Sequence, residues 1–80
     1  MYRLSQLRMD VAQEYIHLHK MISEEVADEF YEDFAIIINK IKFKMDLTDD
    51  ERNKLVYLYK RYHGTTEIVT STQLLENLYV

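Results

Sequence analysis

Histidines and carboxylates are the side chains in this sequence with the most chemistry to offer, and their spacing restricts what they can do. His17 and His19 stand two apart on what reads as a helix, so they point to different faces and cannot share a metal ion. His63 is alone at a helix end. A zinc site needs about four converging ligands, and the chain has neither a cysteine nor a histidine pair at i, i+4. No metal and no cofactor are expected. Glu14 and His17, three apart, have the spacing of an acid and base pair, and equally that of a surface ion pair on one helix. The single glycine, Gly64, follows a helix rather than opening one, so no phosphate-cradling loop is present, and no serine or threonine has an obvious base beside it. The chain reads as a non-enzyme.

Charge is more informative, because it is segregated along the chain. Residues 24–33 carry six acidic groups and no basic one, whereas 40–63 carry seven basic and four acidic groups, within a net charge of −4. On a helix, Glu24, Glu25, Asp28, Glu29, Glu32 and Asp33 form a ridge of like charge suited to a basic partner surface. Acids also gather at a helix N-terminus simply to complement its dipole and solvate its outer face. The basic side chains Lys40, Lys42, Lys44, Arg52, Lys60 and Arg61 lie among Tyr57, Tyr59 and Tyr62, a mixture that can hold phosphates and stack bases. As C-terminal helix charges with packed tyrosines they need no ligand.

Eighty residues are enough for one domain with a single modest core, since a chain of that size buries only about 60–65% of its unfolded surface. The absence of cysteine points to an intracellular, cytoplasmic setting. No apolar run near the N-terminus resembles a signal-peptide core and none elsewhere approaches a membrane span.

One glycine and no proline favour continuous helices joined by short connections. The expected class is all-α, a bundle of three to four helices at about 3–22, 24–44, 49–63 and a last one beginning at 67 or 71 and ending at 79. The first stripe is Leu4, Leu7, Val11, Tyr15, Leu18 and Ile22; the second is Ala27, Phe30, Phe34, Ile37 and Ile41. The stripes run on through Val26, which would allow one rod of about 60 Å held in a homodimer, but Ser23 with Glu24 and Glu25 behind it reads as an N-cap and a break. Thr48-Asp49-Asp50-Glu51 is a capping box, and His63-Gly64 supplies a stop. The core should include Leu7, Val11, Leu18, Phe30, Phe34, Ile37, Ile41, Leu55, Leu58 and Leu75.

Residues 41–47 hold an alternative. Ile41, Phe43, Met45 and Leu47 alternate with Lys42, Lys44 and Asp46, the period of a half-buried strand, with Asn39 able to end the preceding helix in a left-handed conformation. Residues 40–80 then read strand, capped helix, glycine, helix, which resembles the ribbon–helix–helix repressors. That resemblance implies a dimeric DNA-binding protein whose paired strands present Lys40, Lys42 and Lys44 to the major groove. It departs from the family where Glu51 and Arg52 occupy a first turn that is usually apolar there. The other reading, and the one the acidic segment favours, is a protein–protein interaction module that works as a small regulator, adaptor or inhibitor.

Overall fold

The computed structural model describes residues 2–64 and 69–79. Four helices follow one another: α1 (Leu4–Met21), α2 (Glu24–Lys42), α3 (Asp49–His63) and α4 (Ser71–Leu78). The described residues contain no strand.

The break between α1 and α2 falls at the cap. Ile22 leaves helical geometry (φ −124°, ψ −83°), and the Ser23 side-chain oxygen accepts from the Val26 amide at 3.2 Å. That bond satisfies one of the free donors that open α2. Two residues suffice for the turn, so α2 runs back along α1: Tyr15 reaches Asp28 near the connection, while Arg8 and Val11 lie beside Ile38 and Asn39 further along.

Residues 41–47 do not form the strand that their alternation allows. Helix α2 continues to Lys42, two residues short of the expected Lys44, and closes with a Schellman motif. The Met45 amide donates to the Lys40 carbonyl at 2.7 Å and the Lys44 amide to the Ile41 carbonyl at 3.1 Å. Lys44, rather than Asn39, takes the left-handed conformation (φ 57°). Ile41 is buried on the core stripe of α2, whereas Phe43 and Met45 are exposed. A strand pairing would have required all three to share one covered face.

Thr48 and Glu51 form the expected capping box at α3. The Thr48 hydroxyl accepts from the Glu51 amide at 3.2 Å, and the Glu51 carboxylate accepts from the Thr48 amide at 2.8 Å. Gly64 follows His63 with positive φ (40°), and its amide donates to the Lys60 carbonyl. A second capping box opens α4, where Thr70 and Gln73 exchange the same two bonds. Helix α4 therefore begins at Ser71. The earlier start at 67 falls on a position outside the described residues.

Leu7, Val11, Phe34, Ile37, Ile41, Leu55, Leu58 and Leu75 are buried as their spacing predicts. Phe30 and Leu18, near the connected ends of α1 and α2, are only half-buried. The core gains Tyr2, Ala27, Leu47, Leu74 and Leu78. Tyr2 and Leu47 lie outside any helix, so no periodicity marks them. Each large apolar side chain so buried contributes about 1.5–3 kcal/mol before the entropy of ordering is set against it.

Candidate functional site

Two groups of polar side chains stand out once the helices are assembled, one inside the bundle and one outside. The inner group begins with Asp10 and Glu14, one turn apart on the covered face of α1, with only 5% and 4% of their surface exposed. Carboxylates in such a position must be satisfied by hydrogen bonds or opposite charge. The Tyr2 hydroxyl donates to Asp10 Oδ2 at 2.7 Å, and His63 Nε2 lies 2.7 Å from the same oxygen. One turn further along, Arg61 Nε and the Tyr62 hydroxyl both donate to Glu14 Oε1, at 2.8 and 2.9 Å.

Aromatic rings cover this network. Tyr59 and His63 stack at 5.0 Å, and the Tyr2 ring meets both edge-on. Burial, and then the bond to Asp10, push the Tyr2 phenol well above its ordinary ionisation range. Tyr62 is raised by burial first and then by Glu14. The pairing of Glu14 with His17 on α1 does not occur: Glu14 turns inward to α3, and His17 is exposed. His19 is exposed as well and lies against the Tyr15 ring at 6.0 Å. Among the described residues no three histidine, cysteine or acidic side chains converge as metal ligands.

The outer group is the acidic ridge. Glu24, Glu25, Asp28, Glu29, Glu32 and Asp33 are all exposed on α2. Asp28 accepts from the Tyr15 hydroxyl at 3.2 Å, and Asp33 meets Lys54 at 3.2 Å. Among the described residues, Glu24, Glu25, Glu29 and Glu32 have no ion-pair partner. Glu25, Glu29 and Glu32 follow helical spacing that continues through Ile36 and Phe43, which are 53% and 68% exposed. The outward face of α2 is thus acidic in its first half and carries the exposed Ile36 in its second, with Phe43 at the cap beyond its end and the Lys42 ammonium over the Phe43 ring.

The basic residues have been divided between two roles. Lys40 is tied to Glu51 at 2.8 Å, which joins the end of α2 to the start of α3, and Arg61 is tied to Glu14. Lys54 bridges Asp33 and Asp50, whose hydrogen bonds hold its ammonium above the usual lysine range. Lys42, Lys44 and Lys60 are exposed, and Arg52 is half-buried beside Asp46 and Thr72. The ribbon that would align Lys40, Lys42 and Lys44 is absent: Lys40 faces α3, Lys42 ends the helix, and Lys44 sits in the turn.

Comparison with known protein families, with curated proteins and with solved structures finds no match to this chain. No helix among the described residues is long and apolar enough to cross a membrane.

Proposed function

We propose that the chain is a non-enzymatic protein-binding module, a cytoplasmic regulator, adaptor or inhibitor that engages a basic, partly apolar surface through the outward face of α2. The observation that carries this reading is the unequal fate of the charges. Three of the chain's cations are used internally on Glu14, Glu51, Asp33 and Asp50, while Glu25, Glu29 and Glu32 remain in water beside exposed Ile36 and Phe43. Like-charged rows cost an isolated helix a few tenths of a kcal/mol per pair, a cost that a basic partner removes. Exposed apolar side chains at the end of the same row supply the desolvated contact that an acidic face alone lacks.

The decisive comparison is crosslinking capture from a cell extract with the native protein and with a variant carrying Glu25→Gln, Glu29→Gln and Glu32→Gln, followed by identification and direct rebinding of whatever differs. The native protein should hold a basic protein that the neutral variant releases, with affinity falling as salt rises. Identical capture by both, or no specific capture by either, removes the reading. A nucleic-acid ligand in the captured fraction would favour the basic side chains Lys42, Lys44 and Lys60 instead.

A further inference from the structure

Beside the acidic ridge, toward the connected ends of α1 and α2, an open hollow of about 420 Å³ is lined by Tyr15, Asp28, Tyr31 and Glu32. Asp28, Tyr31 and Glu32 stand three and four positions apart on α2, so they share one side of that helix, and Tyr15 comes to them from α1. The two rings meet edge to face, with centroids 5.4 Å apart and planes at 71°. They form two walls of a corner rather than a flat stack. Tyr31 is 53% exposed and Tyr15 half-buried. The Tyr15 hydroxyl donates to Asp28 Oδ1 at 3.2 Å, which fixes one ring against one carboxylate and leaves the other Asp28 oxygen and both Glu32 oxygens without a side-chain donor among the described residues.

The groups around this hollow favour positive charge by two separate routes. Carboxylates alone would suit any solvated helix surface. The perpendicular rings add an independent preference, because the face of an aromatic ring is the negative pole of its quadrupole and attracts a cation. The chain does not supply one. Lys40, Lys54 and Arg61 pair with Glu51, with Asp33 and Asp50, and with Glu14, and the cations that lie over rings take Phe43 and Tyr62. Among the described residues no lysine or arginine pairs with Asp28 or Glu32 or lies over Tyr15 or Tyr31.

We propose that the hollow of Tyr15, Asp28, Tyr31 and Glu32 receives an arginine side chain of the partner protein. The inference rests on the reading of α2 as a face for a basic surface, and it names the group by which that surface is gripped. Glu32 belongs both to the hollow and to the outward row of Glu25 and Glu29, so one partner can meet the two together. A guanidinium fits the mixture better than other cations do. Its plane stacks on a ring, its fork of N–H donors matches carboxylate oxygens, and it sheds water more readily than an ammonium. A quaternary ammonium would satisfy the rings and leave the two carboxylates without a donor. A lysine would reach the carboxylates as a strongly hydrated point charge with no plane to stack.

Nuclear magnetic resonance titration of the whole isotope-labelled chain tests it, with N-acetylarginine methylamide as the probe. N-acetyllysine methylamide and tetramethylammonium chloride serve as comparisons at equal ionic strength. The arginine probe should move the ring signals of Tyr15 and Tyr31 along a saturating curve and show cross-relaxation between its side-chain methylenes and the Tyr31 ring. The lysine probe should bind about threefold more weakly and tetramethylammonium about tenfold. Tyr31→Leu or Glu32→Gln should weaken the arginine probe about three- to fivefold, whereas Glu25→Gln, outside the hollow, should change it by less than about twofold. Each variant should keep the helical circular dichroism of the native chain. Absence of saturation, an equal response to the three cations, or an unchanged affinity in Tyr31→Leu overturns the proposal. The titration uses no partner protein, so it can fail while capture of a basic partner succeeds, and succeed while that capture fails.

Discussion

The carboxylate of Asp10 and the imidazole of His63 are 53 positions apart in the chain and 2.7 Å apart in the fold. Asp10 Oδ2 also accepts from Tyr2, so one buried oxygen joins the segment before α1 to the end of α3. Replacing Asp10 by Asn keeps the shape but removes the charge that both neighbours meet. The expected cost is about 1–3 kcal/mol, the range for hydrogen bonds to a buried charged acceptor. In a chain of this size it should appear as a fall in Tm of roughly 4–24 °C, read by circular dichroism.

Tyr2 gives the network a dependence on alkaline pH. Its phenol stays neutral in the fold above the ordinary value of 10.0, held there by burial and by Asp10. A raised folded value means that the stabilisation is complete below the unfolded value and is lost as pH rises beyond it, because the unfolded chain then ionises first. The native protein and Tyr2→Phe should therefore differ by a constant amount up to about pH 9 and converge toward about pH 11. Urea midpoints of the two proteins across that range check it; a constant gap throughout would contradict the assignment.

The difference between what was legible in the sequence and what was not follows the range of the interactions. Ser23 and the pair Thr48 and Glu51 act within one turn, so their types and spacing announce the helix starts. Thr70 and Gln73 obey the same local logic at α4. The exposed ridge from Glu24 to Asp33 is likewise a consequence of helical period. Asp10 and Glu14 look like surface carboxylates, and only the docking of α3 places Tyr62, Arg61 and His63 against them. Residues 41–47 mislead for a related reason: their alternation is compatible with a strand, but burial of Ile41 in the shared core and the closing bonds at Lys40 and Ile41 favour the helix end.

Glu51 carries two duties, a cap for Thr48 and an ion pair with Lys40, and its side chain is 15% exposed. The Lys40 hydrogen bond, followed by the Thr48 amide, holds its carboxyl below the ordinary value of 4.5. A lowered folded value means that the contribution is complete above the unfolded value and is lost as pH falls through the folded one. Glu51→Gln retains an oxygen for the Thr48 amide and loses the charge. It should cost roughly 1 kcal/mol near neutral pH and progressively less below about pH 4.5, measured by thermal melts from neutral pH downward.

Lys44 is the one non-glycine among the described residues with positive φ. A side chain there costs about 1–2 kcal/mol against the following carbonyl, while glycine would lose more freedom on folding, by about 0.5–1 kcal/mol. Lys44→Gly should therefore stabilise the protein by roughly 0.5–1 kcal/mol. Lys44→Val, with a branched side chain at the same φ, should destabilise it. Urea unfolding of both variants distinguishes this backbone effect from loss of the lysine charge, which the two share.

Lys60 and Arg61 are adjacent, carry the same charge and are both accessible to solvent, yet the fold uses them differently. Lys60 has no acidic partner among the described residues, whereas Arg61 meets the buried Glu14 carboxylate. Removing Arg61 leaves that carboxylate supported by the Tyr62 hydroxyl alone, and a buried charge deprived of a partner costs more than the pair contributed. Arg61→Gln should thus lower the urea midpoint clearly, while Lys60→Gln should leave it within experimental error. If the substituted charge mattered only through the net balance of the chain, both variants would shift alike. A larger effect for Arg61 that disappears when Glu14 is also changed to Gln would locate it in the contact between α1 and α3.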